Sequence, residues 1–215
     1  ASVQALREVV MTCGDELTLP VRLFRWLVFN LLVANDDCHL KNLSFLVSPG
    51  RLELSPHYDL LATGVYHTRA FADEGATWPA VPLAVRLSDQ VTRFDQVTRA
   101  EVLNAARVLG VPASVAQRAI GEVVGRTLGE FDEVFASHYP QEPGILEQMR
   151  QQGLKVPPEL SASFDVTSAG PGGAAQVDEA EAFSAGREVQ AQQLKILRVL
   201  RFMVLPEMAK RLLGD

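Results

Sequence analysis

Asn35-Asp36-Asp37-Cys38-His39-Leu40-Lys41-Asn42, followed by Pro56-His57-Tyr58-Asp59-Leu60, decides how this chain is read. Asp37 stands five residues before Asn42, and Asp59 comes after a short insert. Carboxylate and amide oxygens are hard ligands of the kind Mg2+ prefers, with waters and substrate phosphates completing its octahedron. One acid that takes a hydroxyl proton, with an Asn and an Asp that hold metal, is the minimal equipment for phosphoryl transfer.

Each residue also has a plainer reading. Asp36-Asp37 can end the preceding helix on a solvated turn. Asn42 can be a turn residue that tolerates left-handed geometry. Asp59 can cap a helix that opens at Leu60. Lys41 either neutralises phosphate charge or is an ordinary exposed lysine, and His39 either bonds a phosphate or braces the loop. Zinc is disfavoured, because Cys38, His39 and the acids are too close in sequence to converge and no distant Cys/His partner is evident. The catalytic reading rests on joint occurrence: acid, amide, hairpin, acid, in that order.

Working outward, Pro20 to Ala34 reads as a helix with proline in its first turn. Leu23, Phe24, Leu27, Val28, Leu31 and Leu32 cover a wide arc, so the helix is expected to be mostly buried. It delivers the chain into Asn35-Asp36-Asp37. Leu43 to Val47 and Leu52 to Leu54 are strand-like around the turn signal Ser48-Pro49-Gly50. A hairpin there returns Asn42 and Asp59 to the same end. Residues 62 to 92 read as a long surface loop with one short extended piece near Pro82 to Leu87. Thr98 and Glu101 fit a capping box, Val102, Leu103, Ala106 and Leu109 form a stripe, and Gly110 is a C-terminal stop. A further helix follows Pro112 and runs to Phe135. Residues 153 to 177 are rich in Gly, Pro, Ser and Ala and bury too little apolar area to offset ordering, so part of this stretch is expected to be mobile. Helical pattern resumes at Glu179, and a stripe from Leu194 to Val204 is expected to end or kink at Pro206. That helix must dock on this domain or on a partner.

The chain has 215 residues, 47% of them apolar, which is enough for one sizeable core. Its net charge of −6 excludes a general attraction to nucleic acid or anionic membrane. Two cysteines, Cys13 and Cys38, lie far apart in sequence, which points to a reducing compartment rather than a disulfide framework. The N-terminus lacks the layout of a secretory signal. The run from Leu23 to Ala34 is interrupted by Arg25 and Asn30 and is too short to span a bilayer. A cytoplasmic location is expected, with no membrane and no direct nucleic-acid binding.

At Asn35 to Asn42 and Tyr58-Asp59-Leu60 the chain resembles the C-terminal catalytic lobe of the HipA-like serine/threonine kinases, toxins of toxin–antitoxin modules. Their loop follows an Asn-x-Asp-x-His-x-Lys-Asn pattern, and their metal-binding Asp lies in a Tyr-Asp-Leu/Ile context. The likeness extends over roughly residues 5 to 135, taking in the helix with Phe29-Asn30, Pro82 to Val85, and Thr98 to Pro112. It implies a mainly α, protein-kinase-like C-lobe with a short β-hairpin next to the catalytic loop. It implies Asp37 as catalytic base, Asn42 and Asp59 as Mg2+ ligands, and His39, Leu40, Lys41, Asn42, Tyr58 and Asp59 around ATP. It implies protein Ser/Thr acceptors, aminoacyl-tRNA synthetases among them, and a HipB-like DNA-binding antitoxin as partner.

Two departures stand out. The family usually has Thr or a similar residue where this chain has Asp36, a charge that either raises the pKa of the base by repulsion or faces solvent. The residues before Pro20 contain no lysine and one glycine, Gly14, so the phosphate-covering loop and strand lysine of a small lobe are not among them. The small lobe is then missing or on another chain. The expected layout is a kinase lobe over 1–145 (catalytic loop 35–42, metal motif 58–60), a Pro/Gly/Ser-rich, partly mobile linker over 146–178, and an amphipathic helix over 179–215. Two other functions remain open at this point. One is a non-catalytic partner-binding module that docks through Leu194 to Val204. The other is a small-molecule phosphotransferase, which uses a similar Asp-x-His-x-x-Asn logic.

Overall fold

Helix α2 (Leu19–Leu32) is the axis of the fold. Leu23, Phe24, Leu27, Val28, Leu31 and Leu32 are all buried, as their spacing predicts. Each fully buried Leu or Phe side chain stabilises the fold by about 1.5–3 kcal/mol relative to exposure. The computed structural model describes residues 1–139 apart from Gly14 and Gly50, then 142–151 and 181–214.

Helix α1 (Val3–Cys13) packs on α2 and on α4 (Arg99–Leu109), and α5 (Ala113–His138) runs along α2. Thr98 caps α4, its Oγ1 accepting from the Glu101 N–H at 3.3 Å, and Gly110 ends α4 at a φ of 90°. Glycine carries no Cβ penalty in that left-handed conformation. Strands β1 (Phe45–Ser48) and β2 (Arg51–Leu54) form one antiparallel hairpin in which Phe45 faces Leu54 and Ser48 faces Arg51.

The stretch from 62 to 92 differs from the surface loop the sequence suggests. Tight turns at Thr63–His67 and Asp73–Gly75 flank the short helix α3 (Arg69–Ala72). Val65, Val81, Leu83, Val85, Leu87 and Val91 are buried. Backbone bonds from Leu83 to Thr92, Leu87 to Val91 and Phe94 to Val81 fold the 81–94 segment back on itself, and Ser2 bridges to Arg86. The alternation of apolar residues at 81, 83, 85 and 87 is that of an extended chain with one buried face. The extended piece expected near Pro82 to Leu87 is therefore present, but buried rather than at the surface.

Helix α6 (Ile145–Gln151) follows α5. Apart from 146–151, which belong to α6, the linker stretch expected at 146–178 lies outside the described residues. Helix α7 (Glu181–Val199) passes through a π-type turn at Leu200–Val204 into α8 (Leu205–Leu213). Pro206 therefore does not end the helix, because the hydrogen-bond ladder shifts register just ahead of the residue that lacks an N–H. Helix α8 docks on this domain, against α2, α4 and α5. Arg99 and Arg211 tie it down, donating to the carbonyls of Leu213 at 2.7 Å and Asp95 at 2.6 Å. Among the described residues, no helix is long and apolar enough to cross a membrane.

Candidate functional site

Two buried asparagines shape the loop that leaves α2. Asn30 sits inside the apolar helix and donates to the Trp26 carbonyl at 2.8 Å. Its Oδ1 accepts from Asn35 Nδ2, also at 2.8 Å. Asn35 Nδ2 lies 3.3 Å from the Asp59 carbonyl, while its Oδ1 accepts from the Asp37 N–H at 3.1 Å. Both amides are 1% exposed, so an unmade bond here would leave a costly buried polar group. Asn35 has all of these partners only when the 35–37 stretch and the Asp59 stretch lie together.

The hairpin completes that meeting. Below the Phe45–Leu54 pair, the Ser55 N–H donates to the Ser44 carbonyl at 2.9 Å. The Tyr58 hydroxyl donates to the Lys41 carbonyl at 2.9 Å and lies 2.8 Å from Ser44 Oγ. Asn42, buried in the turn Leu40–Asn42, donates from Nδ2 to Asp59 Oδ2 at 2.5 Å. Asp59 is not a helix cap: it lies ahead of the Thr63 turn with a left-handed φ of 55°. That conformation costs a non-glycine residue about 1 kcal/mol and is a pointer to function when the surroundings enforce it.

Asp37 stands on the same loop with its side chain 62% exposed. Its carboxylate accepts no hydrogen bond among the described residues, and His39 Nε2 lies 3.8 Å away. His39, Lys41, Tyr58 and Asp59 are exposed, and Leu40 packs partly against the core. Asp36 neither faces solvent nor stands alone. Its Oδ2 accepts from His67 Nε2 at 2.8 Å, and its N–H donates to Thr63 Oγ1 at 2.9 Å. Cys38 anchors the underside of the loop, and burial pushes its thiol up to about 12. Next to Tyr58, burial and the nearby Arg22 lower the pKa of His57, whose ring tilts against Trp26. A cleft of about 870 Å³ beside it is lined by Trp26, Phe29, Phe131 and Leu60, not by Asp37, Asn42 or Asp59.

The structure thus brings Asn42 and Asp59 into contact and leaves Asp37 free to bond another molecule. A carboxylate and a carboxamide, one exposed and the other beneath it, could together supply two oxygen ligands of the kind Mg2+ takes. A half-turn of the Asn42 amide replaces its N–H with its oxygen. Sequence reasoning gave no role to Asn30, Asn35, Thr63, Gly64 or His67. Asn30 carried a signal, as a polar residue within an apolar helical stripe, and Asn35 did as the first residue of the loop pattern; Thr63, Gly64 and His67 carried none.

A sequence profile described as the HipA-like C-terminal domain matches residues 1–131. Over 65 residues the chain is 34% identical to the serine/threonine-protein kinase toxin HipA of Shewanella oneidensis, covering 30% of this chain and 15% of that protein. Its fold is similar to a chain in the solved complex of HipA, HipB and operator DNA from Shewanella oneidensis MR-1. There the TM-score is 0.51 and the identity 19%, over 98% of this chain and 38% of the other. At that identity the structural likeness speaks for the fold alone. The chain spans well under half the length of both relatives.

Proposed function

This chain belongs to the HipA-like C-terminal domain family, and we propose that it is the large, catalytic lobe of an ATP-dependent kinase acting on protein Ser/Thr. The observation that carries the reading is the Asn42–Asp59 contact across the hairpin root, with Asp37 on the same loop. Asn42 and Asp59 would hold Mg2+, which when bound neutralises phosphate charge. Asp37 orients the acceptor hydroxyl and takes its proton as the new P–O bond forms and the bond to the departing ADP oxygen breaks. His39, Leu40, Lys41, Asn42, Tyr58 and Asp59 line the nucleotide. The small lobe comes from a preceding segment or a separate chain. A HipB-like antitoxin is the regulatory partner, and aminoacyl-tRNA synthetases are the first acceptors to try.

The test uses the chain together with its small lobe. Mg2+ should tighten ATP binding in titration calorimetry. Asp59→Ala should abolish that tightening, while Asp37→Asn should keep it and lose transfer to protein acceptors. Nucleotide affinity that ignores Mg2+ in the parent and in Asp59→Ala alike would overturn the reading.

A further inference from the structure

Two neighbouring carboxylates enter the loop, and only one is available. The Asp37 side chain is 62% exposed, whereas that of Asp36 is 21% exposed and bonded to His67 at 2.8 Å. The turn Thr63–His67 holds this stretch at several points. Thr63 Oγ1 accepts from the Asp36 N–H, and the Gly64 N–H donates to the Ala34 carbonyl at 2.7 Å. His67 is itself fixed, because its carbonyl accepts from the N–H groups of both Thr77 and Trp78 at 3.0 Å. An imidazole on so constrained a backbone is a rigid donor, and a hydrogen bond to a carboxylate is about twice as strong as one between neutral groups.

We propose that His67 is a positioning residue that withholds Asp36, and so decides which of the two adjacent carboxylates serves as base. The proposal rests on the phosphoryl-transfer reading above. A freed Asp36 competes with Asp37 for the acceptor hydroxyl. Held by His67, it instead fixes the turn from which Asp37 projects.

The test again uses the chain with its small lobe. His67→Ala is expected to lower kcat about 10- to 100-fold, as misplacement of a catalytic group does, with KM for ATP unchanged. His67→Gln, whose amide N–H can donate to Asp36, should recover most of the loss. Asp36→Asn placed on top of His67→Ala should also recover activity, because it removes the competing charge. A purely structural role for His67 predicts no such recovery. Parental kcat in His67→Ala, or a double variant no better than His67→Ala, overturns the proposal.

Amide exchange on the nucleotide-free protein keeps the two readings apart. The Asp36 and Asp37 amides should exchange about tenfold faster in His67→Ala if a charged hydrogen bond has been lost. Unchanged exchange refutes the restraint whatever the enzyme does. Faster exchange in a protein that transfers no phosphate upholds the restraint and refutes the kinase reading.

Discussion

Gly64→Ala is the sharpest single test of how the loop is held. A Cβ at Gly64 would lie 2.6 Å from Ala34 Cβ, 2.7 Å from the Ala34 carbonyl oxygen and 3.2 Å from the Trp78 ring. The carbonyl belongs to backbone that already carries a left-handed φ of 54° at Ala34, so it has little freedom to yield. Relieving such an overlap costs about 1–3 kcal/mol. Against this, Ala restricts the unfolded chain and returns about 0.4–1 kcal/mol. The steric effect wins, with a net loss of about 1–2 kcal/mol. For a chain of this size that lowers the melting temperature by about 2–8 °C. The displaced Ala34 also shifts Asn35 to Asp37, so on the proposed kinase reading transfer to the acceptor should fall. Gly121→Ala, in the middle of α5, is the matched control. Nothing lies within 4 Å of its Cβ, and Ala in a helix interior gains about 0.8–1 kcal/mol over Gly. Calorimetric melting of the two variants should therefore move in opposite directions. A Gly64→Ala protein that melts at or above the parent temperature would refute the close packing of the 63–67 turn against the end of α2.

Two further outcomes are expected. Thr98→Ala removes the side-chain acceptor for the Glu101 N–H and should cost about 1 kcal/mol in urea unfolding, with an unchanged m-value. The Cys38 thiol should resist alkylation in the folded protein near pH 8 and react on unfolding, because burial raises its pKa from 9.0 to about 12. The sign of the linkage follows from that rise. The stabilising contribution of the neutral thiol is complete below pH 9.0 and is lost as pH climbs toward about 12. Alkylation of the native protein that half-saturates near pH 9 would contradict it.

The parts of the fold that were legible in the sequence are those set by local rules. The stripe of α2, the turn signal at Ser48-Pro49-Gly50, the cap at Thr98 and the stop at Gly110 each depend on neighbours a few residues away. The coming together of Asn42 and Asp59 was legible because a hairpin joins its own ends. The grip of Thr63, Gly64 and His67 was not, since its partners Asp36, Asn35 and Ala34 lie about thirty residues earlier and no periodicity marks the pairing. The extended piece near Pro82 to Leu87 was legible, but its burial was not, because Pro79 and Pro82 set it in what reads as surface loop. The stripe from Leu194 to Val204 showed that it must be covered. Only the assembled structure identifies where, with the Leu200–Val204 turn against the Thr63–His67 turn and the following helix α8 on α2, α4 and α5. For Asp36 the sequence left two possibilities, and the actual partner, His67, was neither.

The hairpin has one more consequence. Its closure at the root, through Phe45 and Leu54, Ser44 and Ser55, and the Tyr58 hydroxyl, fixes the spacing of Asn42 and Asp59 from below. The rungs above add length but no leverage. Evolution can thus lengthen, trim or decorate the distal bend around Pro49 while Asn42 and Asp59 keep their separation. The number of residues between them is then a poor guide to kinship, and the ladder's lowest rung a good one.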